Sequence, residues 1–177
     1  IEVIYMKKLL FLFAFIFILF PSNVFAKEYS QFYDFYWEDS LQDIQNKGYI
    51  LTYNKYVPEE NAVVYTTYFV SDKNDLLILK ANLYFWNNKL YNIEASFIDK
   101  FDVYTDKTPL FMETYIDFFK TYGEPNALNI KNMKSWEIPP STMISLIISN
   151  DNHDFHILWG NYILFNQAQA DGAKINQ

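Results

Sequence analysis

The sequence predicts an α+β protein: an antiparallel sheet with two helices on one face, in the order helix–meander–helix–meander. Three observations predict it. Strand-like runs come in two groups, each preceded by one helical segment. No strand–helix–strand alternation of the kind that builds a parallel sheet is present. One run, Leu77, Leu79, Ala81, Leu83 and Phe85, alternates as a wholly apolar face. The repeated order admits two related halves.

The chain opens with Met6-Lys7-Lys8 and an unbroken apolar stretch from Leu9 to Phe20, closed by Pro21. Such a run covers roughly 18 Å of helix, too little for a hydrocarbon core of about 30 Å. With small or modest side chains over Val24-Phe25-Ala26 where a signal peptidase needs them, this predicts a secretory signal peptide over residues 1–26, cut after Ala26. Residues 1–5 then lie upstream of the true start. Residues 27–166 are expected to form a single α+β domain, and 167–177 a flexible tail or one loose turn of helix.

Composition narrows the function classes. There is no cysteine, so disulfides, thiolate metal sites and lipidation after the signal are excluded. The expected location is therefore periplasmic or secreted, with no stable membrane anchor after cleavage. Without the leader, 12 lysines face 20 acidic residues, a net charge of −8, and arginine is absent altogether. Nucleic acid and anionic lipid need clustered positive charge, so neither is an expected partner.

Lys27 to Tyr36 is a polar and aromatic lead-in. Ser40 with Asp43 three residues on approximates a capping box for a short helix, which Gly48 ends. Strands are expected over 49–55, 62–70, 76–86 and 90–98, with turn-forming residues between them. The last hairpin fixes its own register. A three-residue turn at Asn87–Lys89 pairs Phe85 with Tyr91, Leu83 with Ile93, Ala81 with Ala95 and Leu79 with Phe97. A slip of one residue would expose the whole apolar set.

Thr108-Pro109 starts the second helix, with Thr108 as cap and Pro109 at the first position. Phe111, Tyr115, Phe118, Phe119 and Tyr122 recur on one helical face before Gly123 and Pro125 stop it. Strands over 134–138, 142–149 and 155–159 follow, the last extending through Tyr162–Phe165.

Trp37 to Ile44 leading to Gly48, and Tyr122-Gly123-Glu124-Pro125, resemble the helix-plus-glycine signatures of small exported bacterial α+β domains. The beta-lactamase inhibitor protein and the assembly lipoprotein BamE share that plan. The resemblance implies a binding or assembly module rather than an enzyme. The chain departs from the pattern in lacking a glycine before the first helix and a lipidated cysteine.

Reactive constellations are sparse. His153 and His156 stand three apart, which on a strand sets them on opposite faces, unsuited to one ion. Ser135, Glu137, Ser145 and His156 could share one sheet face, but no nucleophile elbow or glycine-rich oxyanion loop accompanies them. Asp99, Asp102 and Asp106, and Asp72, Asn74 and Asp75, lack the glycine and terminal glutamate of a calcium loop. No catalytic residue, metal or cofactor is assigned. The outer face of the third and fourth strands instead ends in Tyr84, Trp86 and Leu90, an aromatic patch suited to docking unless the lead-in or tail covers it.

The expected function is a non-enzymatic cell-envelope module that binds a protein or peptide through a sheet face. The alternatives are a carrier of a small apolar or sugar ligand, and a hydrolase using Ser145 and His156.

Overall fold

The computed structural model describes residues 31–70, 77–99 and 106–175. The expected signal peptide and its expected cut after Ala26 lie outside the described residues, as do Asp72, Asn74, Asp75 and Asp102. The fold is α+β, built on an eight-stranded antiparallel sheet.

A small hairpin of β1 (Gln31–Phe32) and β2 (Phe35–Tyr36) comes first, burying Phe32 and Phe35. Helix α1 (Leu41–Asn46) follows with a complete capping box. The Ser40 hydroxyl accepts from the Asp43 amide at 3.1 Å, and the Asp43 carboxylate accepts from the Ser40 amide at 2.9 Å. Gly48, at φ +92°, turns the chain out of the helix.

The first meander comprises β3 (Thr52–Val57), β4 (Ala62–Val70), β5 (Leu77–Trp86) and β6 (Lys89–Asp99), with a 3-10 turn (Pro58–Glu60) after β3. Helix α2 (Thr108–Tyr122) leads to the second: β7 (Leu128–Ile130), β8 (Met133–Ile138), β9 (Thr142–Ile148) and β10 (Phe155–Asn161). The strand order is β3-β4-β5-β6-β10-β9-β8-β7. The two meanders therefore meet at β6 and β10 and run outward in mirrored order. Strand β7, absent from the sequence expectation, is three residues long and exposed throughout, too short for its Leu-Asn-Ile alternation to mark it. The first strand begins at Thr52 rather than at Tyr49, whose ring packs on the core from outside the sheet.

One sheet face is the main core. Leu79, Ala81, Leu83, Ile93, Ala95, Ile144, Leu146 and Trp136 point into it from four strands. Helices α1 and α2 close the same side through Ile44, Leu110 and Phe111. The Trp136 indole donates to the Gly123 carbonyl at 3.0 Å, tying the end of α2 to β8. The cap of α2 differs from expectation: the Thr108 amide donates to the Asp106 carboxylate at 2.8 Å, and Thr108 is already helical. An acid two residues ahead reaches that amide where the Thr108 hydroxyl, inside the helix, caps nothing.

The hairpin between β5 and β6 keeps the expected pairs Leu83–Ile93, Ala81–Ala95 and Leu79–Phe97. Its turn does not match. Asn87 and Asn88 alone make it, both left-handed at φ +49° and +59°, and Trp86 pairs with Lys89 and Phe85 with Leu90. The register then shifts by one residue, leaving Tyr91 without a cross-strand partner on β5. This bulge replaces the third turn residue as the place where the extra residue is absorbed. Leu90 consequently faces the main core and is 0% exposed, while Tyr91 faces the other way.

Residues 162–175, divided by sequence between a last strand and a flexible tail, form helix α3 (Tyr162–Ile175). Asn161 caps it, its side-chain oxygen accepting from the Ile163 and Leu164 amides, each at 3.1 Å. This third helix lies on the outer sheet face, so helices cover both sides. Leu164, Ala168 and Gly172 recur every four residues and face inward. A Cβ on Gly172 would sit 2.4 Å from the Glu59 carbonyl oxygen and 2.7 Å from that of Pro58. Backbone cannot yield there as a flexible side chain would. Gly172→Ala is expected to destabilise the protein by about 1–3 kcal/mol, despite the better helix propensity of alanine. A thermal melt unchanged or raised by the substitution would contradict this contact.

Candidate functional site

The outer sheet face has two regions. At the β5–β6 turn end it is closed by α3, which with Ala62, Tyr91, Leu164 and Ala168 forms a second, smaller core. Tyr84 and Trp86 are half-buried against it. The Trp86 indole donates to the Asp171 carboxylate at 3.2 Å, and Asn61 donates to the same oxygen at 3.0 Å. The Tyr91 hydroxyl donates to Glu60. The three residues expected to form a docking patch are therefore separated. Tyr84 and Trp86 share the outer face under α3, whereas Leu90 is in the main core, because the bulge reverses its direction.

Beyond α3 the outer face holds an ordered polar belt, which the Tyr84 hydroxyl joins from the edge of the covered region. Alternation brings Thr66 of β4, Asn82 and Tyr84 of β5, Glu94 of β6 and His156 of β10 to this side, and Asn54, at a register shift in β3, joins them. Asn54 donates to the Thr66 hydroxyl at 3.0 Å, and Thr66 donates to the Asn82 carbonyl at 2.8 Å. Asn82 reaches Glu94 Oε2 at 3.5 Å, and the Tyr84 hydroxyl donates to the same atom at 3.1 Å. Burial, followed by the adjacent Glu94 charge, holds the Tyr84 phenol well above its usual range, so it remains a donor. The other oxygen of Glu94, Oε1, lies 3.7 Å from His156 Nδ1, beyond hydrogen-bond length. That nitrogen is shielded from solvent and has no hydrogen-bond partner.

Beside the belt, between β9–β10 and the start of α3, lies a cleft of about 230 Å³. Leu158, Met143 and Phe165 supply apolar walls, and Asn92 and Ser145 polar ones. Gly160 belongs to its floor; a Cβ there would crowd the Asn92 side-chain oxygen at 3.1 Å. Leu158 pairs directly with Glu94 across the β10–β6 ladder, so the cleft adjoins the acidic end of the belt.

Register places Ser135, Glu137, Ser145 and His156 all on this outer face, as alternation required. The Ser145 hydroxyl is hydrogen-bonded to that of Ser135 at 2.8 Å, with both side chains buried. His153 lies in the loop before β10, apart from His156 on the strand. Among the described residues, no group of three or more His, Asp or Glu side chains is arranged to hold a metal ion, and no helix is long and apolar enough to cross a membrane. Alternation alone sets Asn82, Tyr84 and Glu94 on one face of the β5–β6 hairpin, whereas Thr66, Asn54 and His156 join them only through the order of the strands; the cleft depends on α3 and was out of reach.

No protein family, curated protein or solved structure matches this chain.

Asp171 is the polar anchor of α3. Hydrogen bonds from Asn61, then from Trp86, hold its carboxyl below the usual carboxylate range. A group with a lowered folded-state value stabilises above its unfolded value, near pH 4, and that contribution is lost as pH falls through the folded value. Acid titration should therefore loosen α3 below about pH 4, seen as faster amide exchange in residues 162–175, and Asp171→Asn should flatten that dependence. Equal acid sensitivity in the variant would show that another group controls α3.

Proposed function

We propose that this protein is an exported, non-enzymatic module of the cell envelope that binds a protein or peptide partner through the outer face of its sheet. One observation carries the reading: the open half of that face combines a pre-ordered polar belt with an apolar cleft. Met143, in the cleft wall, is 40% exposed. Rigid polar groups around a small apolar recess match the anatomy of a recognition surface, where an anchor side chain fills a pocket and a polar rim fixes orientation. The leader-like residues 6–26 support export. The likeness of the Trp37–Gly48 and Tyr122–Pro125 segments to small exported binding domains points the same way.

The docking surface in this reading is the Glu94–Leu158 region rather than Tyr84, Trp86 and Leu90. Those residues hold α3 and the core. A double substitution, Met143→Lys with Leu158→Lys, should reduce retention of envelope proteins on immobilised protein at least tenfold, with a melting temperature close to that of the wild type. Undiminished retention of the same proteins by the double variant would refute the assignment.

The cleft also favours a second reading, a carrier of a small apolar ligand. Its 230 Å³ fall short of the roughly 300–1,000 Å³ of typical small-molecule sites, which weighs toward a single inserted side chain. A reproducible small-molecule adduct in native mass spectrometry, lost in the same double variant, would favour the carrier instead.

A further inference from the structure

The geometry points to the chemistry of the partner: a peptide segment with a lysine or arginine beside one large apolar side chain, the cation meeting Glu94 and the apolar group filling the Leu158 cleft. This deepens the proposed binding function and rests on it.

Three features of the site carry the inference. The first is size. A cleft of about 230 Å³ matches one leucine- to phenylalanine-sized side chain. The second is adjacency. Glu94 and Leu158 are cross-strand partners, and such side chains stand about 5 Å apart at Cβ. A cation and an apolar group on one face of an extended segment, at positions i and i+2, are spaced about 7 Å, within reach of both features given the length of lysine or arginine.

The third is the state of the carboxylate. Tyr84 and Asn82 hold Oε2, which fixes the side chain before any partner arrives, while Oε1 accepts no hydrogen bond. Glu94 is 34% exposed at its side chain, so a ligand can reach it. The lysines on this face, Lys55 and Lys80, form no ion pair with it, and His156 stands 3.7 Å away. Glu137 lies further along the same face. A pre-ordered acid with an unused oxygen, in a chain of net charge −7, favours a cationic group over a neutral or acidic one. Arginine suits it best, since a guanidinium can span Oε1 and a neighbouring acceptor.

The test uses an array of random extended peptides probed with purified protein and its Glu94→Gln and Leu158→Lys variants. Glutamine keeps an acceptor oxygen for Tyr84 and Asn82 and directs an amide toward His156, so the fold should survive; an unchanged melting temperature confirms that. The expected result is enrichment of peptides pairing Lys or Arg with Leu, Ile, Met or Phe two positions away. Glu94→Gln should weaken these by tenfold or more, and Leu158→Lys should abolish binding. Peptides that lose binding with Leu158→Lys, but show no basic enrichment and no response to Glu94→Gln, would overturn this inference while leaving the binding surface standing. Absence of any peptide responding to either variant would overturn both.

Discussion

A single extra residue in β6 governs how this sheet presents its two faces. Between Asn92, opposite Tyr84, and Leu90, opposite Phe85, the ladder absorbs Tyr91 as a bulge. Upstream of that point the strand directs Leu90 into the main core. Downstream, Asn92 and Glu94 point outward, alternating with Ile93 and Ala95, which point in. Without the bulge, Leu90 would join Asn92 and Glu94 on the outer face, and the core would lose a fully buried leucine. The strand end is held from its other edge as well. Leu90 donates to the Asp39 carbonyl and accepts from the Glu38 amide, each at 2.9 Å, and the Asn88 side chain accepts from the Leu41 amide at 3.2 Å. These bonds satisfy backbone groups beyond the last β10 pair, and they fasten the start of α1 to the hairpin.

The two faces divide the work that follows from this. Helices α1 and α2 and the β1–β2 hairpin seal the core side, where rings such as Phe97, Phe155 and Phe111 contact one another. On the other side, Tyr91 becomes the seat of α3: its hydroxyl reaches Glu60 and its ring lies 6.5 Å from that of Phe165. The same helix that covers Trp86 walls the cleft with Phe165 at its first turn. The position of α3 thus closes one part of the outer face and creates the recess in the next. The belt from Asn54 to Glu94 leads up to that recess from the first meander, and β9 and β10 supply its floor from the second.

Much of this could be read from the sequence where local chemistry and period agree. Ser40 and Asp43 marked the capping box, the α2 rings Phe111, Tyr115, Phe118 and Tyr122 marked its core-facing side while Phe119 turned out exposed, and the apolar alternation of β5 fixed the central pairs with β6. The turn was not separable by the same reasoning. A three-residue turn and a two-residue turn followed by a bulge insert the same one residue, and both satisfy the hydrophobic pattern from Leu83 onward. They differ only in where Leu90 and Tyr91 point, which is why Leu90 was placed on the wrong face. Helix α3 was hidden for another reason. Its inward stripe of Leu164, Ala168 and Gly172 is small, suited to close approach against the 3-10 turn, and among polar neighbours it has little apolar period. The cleft, which α3 builds, shared that invisibility.

The central claim is the direction of each side chain along β6, and a cysteine-free chain allows it to be measured directly. Single cysteines placed in turn at positions 90 and 92 to 96, and probed with a thiol reagent under native conditions, report which face each occupies. Labelling at 92, 94 and 96, with protection at 90, 93 and 95, is the result the bulge requires. Labelling at 90 together with 92, 94 and 96 would mean an uninterrupted alternation, and would remove both the core position of Leu90 and the seat of α3.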